Sequence, residues 1–264
     1  MRKYLKYLFL LVLTGCASVP VTHRKQLSLV PEAELIQSSK VAYATFLNEN
    51  TLISDYNPNT IMVKRVGEKL RKACEDFLRD HSDISRVAGF EWEFNLVQDP
   101  QKNAWCMPGG KVVVYDGILE TTQDETGLAV VLSHEIAHAI ARHGNERVSQ
   151  QMLSQYGGSA VQVLLGGAQY QGMDLSGVIL SAYSTGAQLG MLNFSRNQES
   201  EADKMGLVFM EYAGYNSEMA IEFWKRMSAG GGADIPVFMR THPTDQKRIT
   251  DIEAYIPVAK SYVK

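Results

Sequence analysis

Residues 125–143 read ETGLAVVLSHEIAHAIARH, and His134, Glu135 and His138 stand near their centre. Leu128, Val131, Leu132, Ala139 and Ile140 give the stretch an apolar stripe, so it reads as one long helix over residues 123–143. Thr122 and Glu125 have the spacing of a capping box at its start, and Gly144 follows its end. Residues four apart on a helix share a face about one turn apart, so the two imidazoles can take adjacent corners of one tetrahedral zinc ion. Glu135 follows the first of them and points beside the metal position. From there its carboxylate can take a proton from a water acidified by the metal and deliver it to a leaving amine.

A catalytic zinc needs a third protein ligand and an open fourth position. The remaining histidines are His23, His81, His143 and His242, and the two metzincin positions beyond His138 hold Gly144 and Val148. A carboxylate is therefore considered. The run from Ser195 to Asp203 offers Glu199, Glu201 and Asp203, of which Glu199 and Asp203 share a helical face. One of them can ligate while another orients a histidine from behind. His143 reads as a cap or core residue at the negative end of the metal helix, and His23 and His81 as surface residues. Tyr183, Tyr212 and Tyr215 are weak candidates for stabilising an oxyanion, picked from twelve tyrosines.

Outward from this core, the chain has 264 residues, 45% of them apolar, 8 prolines and a net charge of −3, which excludes a disordered, collagenous or coiled-coil protein. Arg2, Lys3 and Lys6 precede the apolar run from Tyr7 to Leu13, which is less than half of the ~20 residues a membrane-spanning helix needs. Leu13-Thr14-Gly15-Cys16 resembles the bacterial lipobox, which implies that residues 1–15 are a lipoprotein signal peptide and that Cys16 is lipidated. Residues 16–30 then read as a lipidated tether and residues 31–264 as the folded domain. Cleavage removes three positive charges, so nucleic acid is not an expected partner. Cys74 and Cys106 would remain; an oxidising envelope allows them to pair, but their spacing does not place them together.

Helical periodicity marks residues 31–46 and 60–78, with Asn57-Pro58-Asn59-Thr60 as the break and cap between them. Trp92, Phe94 and Leu96 alternate, and the β-branched run from Lys111 to Tyr115 is entered through Pro108-Gly109-Gly110, which reads as a small hairpin-like sheet. Residues 157–192 are rich in small and apolar residues but interrupted by Gln162, Gln169, Gln171, Asp174 and Gln188, so they read as a soluble helical hairpin. Helices over 196–212 and about 217–228 follow, then a loop at Gly230-Gly231-Gly232.

At the paired motifs the chain resembles the membrane-associated gluzincin family of the HtpX heat-shock protease, the CAAX prenyl protease and the periplasmic BepA and LoiP proteases. That family joins HExxH to a later ExxxD, and Glu199, Ala202 and Asp203 match the second motif. The resemblance, over about residues 60–250, implies that Glu199 rather than Glu201 is the third zinc ligand and that Asp203 supports the site from behind. Residues 157–192 are too polar to span a membrane as they do in the HtpX and prenyl-protease branches, which favours the lipoprotein branch. The segment from Asn103 to Tyr115 looks like the family's edge strand beside the metal, with Asn103 and Ala104 expected to face an extended peptide substrate. The Gly-x-Met-Glu-Asn segment of aminopeptidase gluzincins is not formed around Met107 and Pro108, which argues for endopeptidase action. Thr241-His242-Pro243 resembles the family's late His-Pro segment, associated in the BepA branch with covering the metal. His242 is thus a candidate regulatory fourth ligand, on a movable loop before a helix that Thr244 can cap.

The expectation is an α+β, mainly helical, zincin-like domain with a small sheet beside the metal-binding helices and one zinc held by His134, His138 and Glu199, with Glu135 as the base. The function that the resemblance implies is cleavage of misfolded or damaged envelope proteins; no further envelope assembly partner is identifiable. Ala17 and Ser18 lack the aspartate that retains many lipoproteins in the inner membrane, which places the chain on the outer membrane facing the periplasm. The competing class is a non-catalytic, chaperone-like lipoprotein with a structural zinc, which would have no use for Glu135.

Overall fold

A short antiparallel pair, β1 (Cys16–Ser18) and β2 (Lys25–Leu27), precedes two helices, α1 (Glu32–Glu49) and α2 (Pro58–Asp80). The computed structural model describes residues 16–156, 194–229, 236–243 and 245–263; the signal segment, the expected helical hairpin over 157–192, Tyr183, the glycine loop and Thr244 lie outside them. On α2, Val63, Val66, Leu70, Ala73 and Phe77 recur at three and four and are buried together. Each large apolar side chain among them contributes about 1.5–3 kcal/mol by leaving water. Asn57 caps this helix by accepting from the Asn59 N–H, and Pro58 fills the first helical position, whose N–H would have no partner.

The sheet differs from the simple hairpin expected. Strands β3 (Glu93–Val97), β4 (Ala104–Met107) and β5 (Lys111–Tyr115) lie in the order β3-β5-β4. The β4–β5 hairpin turns at Gly109 and Gly110, both at positive φ (90° and 80°), while β3 runs parallel to β5 on its other side. Alternation within a strand cannot reveal which neighbour it pairs with. Central β5 is buried along its whole length. Tyr43 and Phe46 of α1 pack edge-on against Trp105 on one face of the sheet, and Phe94, Leu96, Val112 and Val114 join the main core on the other. β4 is left as an edge strand.

After a short helix α3 (Leu119–Thr122), the chain forms α4 (Glu125–Ile140), α5 (His143–Tyr156), α6 (Arg196–Tyr212), α7 (Met219–Ser228), α8 (Val237–Thr241) and α9 (Gln246–Ser261). The single helix expected over 123–143 is two. It starts from Asp124, which accepts from the Gly127 N–H in place of the expected Thr122–Glu125 box, and it breaks where Arg142 takes a left-handed φ of 58°. Gly144 falls inside α5 rather than ending the helix. Helix α4 carries no solvent face: every residue from Gly127 to Ile140 is buried. It packs closely on α6, where a Cβ on Gly206 would come within 3.2 Å of the His134 backbone nitrogen and the Ser133 hydroxyl. Helix α6 begins in a capping box of Ser195 and Gln198 and ends before Gly214, at a φ of 76°. Asp245 caps α9.

Residues 16–30 are not a free tether. Val19, Gln26 and Val30 are buried, and the segment wraps the broken end of the metal helix. Gln26 Nε2 donates to the Arg142 carbonyl at 3.3 Å, the Leu29 N–H to Ser149 Oγ at 2.8 Å, and Asn145 Nδ2 to the Val30 carbonyl at 2.8 Å. Arg86 bridges the Ile140 and Ser18 carbonyls. The break at Arg142 frees carbonyls that a continuous helix would pair; Gln26 of the N-terminal segment takes up that of Arg142 and Arg86 that of Ile140. His23 itself is exposed, as expected, and Cys74 and Cys106 are both free thiols. Among the described residues no helix is long and apolar enough to cross a membrane.

Candidate metal centre

Helix α4 brings His134 and His138 onto one face, α6 brings Glu199 against them, and the turn after α8 adds His242. All four are buried, and one ligand atom from each lies within 4.8 Å of every other. Nε2 of His134 is 3.1 Å from Nε2 of His138 and 3.1 Å from Nδ1 of His242; Glu199 Oε1 is 3.3 Å from His138 Nε2 and 2.9 Å from His242 Nδ1. A tetrahedron with zinc bonds of ~2.0–2.1 Å has edges of ~3.3 Å, so this donor set fits one zinc ion. Four donors crowded at such separations, three of them imidazoles, also have no better hydrogen-bonding use for one another's lone pairs.

The electrostatics suit a cation. Burial drives His138 well below its ordinary range, which keeps it neutral and able to ligate. Glu199 stays ionised although burial opposes its charge, because His242, Arg248 and the two helix histidines surround it and hold it well below the usual carboxylate range. Burial raises the Glu135 carboxyl. Its Oε1 is buried with no hydrogen-bond partner among the described residues, and it lies 3.3 Å from His242 Nε2.

Behind the ligands stand two chains of support, both built through carboxylates of α6. In the first, Asp203 Oδ1 lies 3.0 Å from His134 Nδ1, and Arg248 of α9 grips Asp203 with Nε and Nη2 at 2.8 and 2.7 Å. The same guanidinium reaches Glu199 Oε2 at 2.8 Å and stacks on Trp224 at 3.8 Å. The sequence reading placed Asp203 here but missed Arg248 as its partner. The second chain it missed altogether. His143 Nδ1 is 2.9 Å from His138 Nδ1, and His143 Nε2 is 3.1 Å from Glu201 Oε2. Glu201 in turn meets Arg24 through Nε and Nη2, both at 2.8 Å, and the Thr22 hydroxyl at 2.8 Å. Although burial opposes it, Glu201 is pulled down to about 2 by His143, Arg24 and Thr22. His143 is thus neither a simple cap nor a metal ligand.

A cleft opens beside Glu135 and His138, walled on one side by Ala104, Trp105, Cys106, Met107 and Pro108 of the β4 edge and on the other by Thr241 and His242. Asn103 is not among the residues that line it, and its carbonyl accepts from the Tyr115 N–H at 3.1 Å. The part of the edge that lines the cleft runs from Ala104 to Pro108. Tyr212 and Tyr215 lie elsewhere, bonded to Asp80 and Glu125.

Two imidazoles one helical turn apart, a carboxylate from a second helix and a buried base beside an open strand edge are the means of metal-assisted peptide hydrolysis, and the chain is a zinc metalloendopeptidase. Residues 66–256 match peptidase family M48, to which the chain belongs. The mitochondrial metalloendopeptidase OMA1 of Schizosaccharomyces pombe is 33% identical over 246 residues, 92% of this chain and 67% of that protein. OMA1 of Saccharomyces cerevisiae is 28% identical over 98% of this chain and 75% of its own length. The beta-barrel assembly-enhancing protease of Yersinia pestis is 31% identical over 61% of this chain and 33% of that protein.

Proposed function

We propose that this peptidase works in the bacterial envelope, held there by lipid on Cys16, and removes misfolded or damaged envelope proteins. The observation that carries the peptidase reading is the buried Glu135 carboxylate, its Oε1 without a hydrogen-bond partner among the described residues, beside the ligand group and the β4 edge. His134, His138 and Glu199 would hold the zinc. When bound, the ion supplies Lewis acidity toward the scissile carbonyl and makes water more acidic. Glu135, its affinity for a proton raised by burial, takes the proton of the attacking water and passes it to the leaving nitrogen. Residues 104–108 pair with the backbone of an extended peptide, which makes binding depend little on side-chain identity and suits unfolded substrates. A structural zinc would leave Glu135 without a role, which weighs against the chaperone-like alternative.

His242 fills the space the substrate needs, with one ring nitrogen among the ligands and the other 3.3 Å from Glu135. We assign it as an inhibitory fourth ligand on a turn that must move before the enzyme acts. His242→Ala is therefore expected to raise basal casein cleavage several-fold above wild type, with self-cleavage, while one zinc per chain remains. Digestion and zinc content measured together check this. Unchanged activity makes His242 a packing residue, lost activity gives it a part in substrate binding, and no digestion by either protein refutes the peptidase reading.

The envelope location is supported by the lipobox-like Leu13-Thr14-Gly15-Cys16 and by the likeness to the Yersinia protease. The OMA1 relatives favour a second reading, a mitochondrial location. Cys16→Ser expressed in a Gram-negative host is expected to stay unprocessed and to lose fatty-acid label. Label retained by that variant, or a wild-type chain never labelled, would count against the lipid anchor.

A further inference from the structure

The two chains of contacts behind the metal centre end on arginines at opposite ends of the sequence. Arg248 holds His134 through Asp203; Arg24 reaches His138 through Glu201 and His143. The second route fixes a proton pattern. If Nε2 of His138 offers its lone pair among the ligands, a neutral ring carries its proton on Nδ1. That proton is donated to His143 Nδ1, 2.9 Å away, so His143 must accept there and carry its own proton on Nε2. Nε2–H then donates to Glu201 Oε2 at 3.1 Å. Arg24 is what holds that carboxylate in place. Its guanidinium makes four contacts of 2.7–2.8 Å with Glu146 and Glu201, two carboxylates whose side chains are only 6% and 5% exposed.

We propose that Arg24 is a positioning residue of the metal centre, so that the N-terminal segment, eight residues past Cys16, completes the zinc site of the folded domain. Without Arg24, two buried carboxylates face each other with no cation between them. Glu201 then loses the grip that holds it against His143, and its side chain is free to turn away. That movement takes the acceptor from His143 Nε2 and loosens the ring that lies 2.9 Å from His138 Nδ1. The ligand loses its fixed orientation, and groups that orient a ligand typically account for about 10–100-fold in metal affinity. This inference rests on the reading of the centre as a zinc peptidase site.

The test uses the whole mature chain. Zinc affinity is measured by competition with a chromophoric chelator, and the site is probed by the visible spectrum of the cobalt-loaded protein. Arg24→Ala is expected to raise the zinc dissociation constant by about tenfold or more and to alter the cobalt spectrum. Gln26→Ala, which loosens the same segment at Arg142 without touching the route to His138, is expected to leave both unchanged. In a His143→Leu background, Arg24→Ala is expected to add no further loss, since the link is already cut. Should Arg24→Ala fail to fold, Arg24→Lys replaces it; one ammonium cannot bridge both carboxylates in the same way, and zinc binding is expected to weaken in the same direction. The inference is overturned by wild-type zinc affinity in the Arg24 variant, by an equal loss in Gln26→Ala, or by Arg24 and His143 losses that simply multiply. Wild-type zinc binding and peptide cleavage alongside an unaffected Arg24 variant overturns this inference alone, whereas a wild-type chain that binds no zinc overturns the peptidase reading with it.

Discussion

Glu135→Gln is expected to keep one zinc per chain and to lower casein cleavage by at least the ~10²–10⁴-fold that a positioned general base supplies. The amide has nearly the shape of the carboxylate, so the packing of α4, buried along its whole length, is preserved. His134, His138 and Glu199 are untouched, so metal content should not change. What is lost is the proton acceptor, whose buried Oε1 has no hydrogen-bond partner among the described residues. Zinc content by atomic absorption and digestion by gel decide the matter. A fully active, zinc-replete variant would remove Glu135 from the chemistry.

Glu199→Ala is expected to act on the metal first. It takes away the only anionic donor of the group and leaves three imidazoles, with Arg248, 2.8 Å from the missing carboxylate, now adding unopposed positive charge. Zinc affinity should fall by more than the ~10–100-fold typical of losing an orienting group, and activity should fall with it. Glu201→Ala provides the scale. From sequence alone it would be expected to leave zinc binding nearly intact, but its place behind His143 makes a smaller loss in the same direction the expected result. Isothermal titration of the three metal-free proteins gives the order wild type, Glu201→Ala, Glu199→Ala. The reverse order of the two variants would mean that the ligand is Glu201.

The parts of this site that were legible in sequence are those carried by local period. His134 and His138 four apart, and Glu199 and Asp203 four apart, each occupy one face of one helix, and the structure brings the two faces together. The second support chain had no such signature. His143 is five residues from His138, a spacing that would not put the rings together on one straight helix; they meet because Arg142 turns left-handed between them. An arginine gives no sign of that conformation, as a glycine would. Arg24 lies 177 residues from Glu201, in a segment whose composition reads as a tether. The parallel pairing of β3 with β5 was hidden for a related reason, since β4 intervenes in sequence but sits on the far side of β5. The cap was local yet misread: Asp124 competes with Thr122, and both choices satisfy the same spacing rules.

The path of the N-terminal segment also sets an order in time. Thr22 and Arg24 emerge early in synthesis, yet their partners are Glu146 and Glu201, and the loops they close are among the longest in the chain. Closing such loops is entropically costly until the helices that carry the partners have packed, so these contacts form late. The unfolded chain offers a metal little more than an isolated histidine pair, and most of the affinity arrives with the tertiary structure. Metal capture therefore reports completion of the fold: a nascent or truncated chain that has already made its HExxH helix is still not an armed protease, and zinc, by binding only the finished form, draws the population toward it.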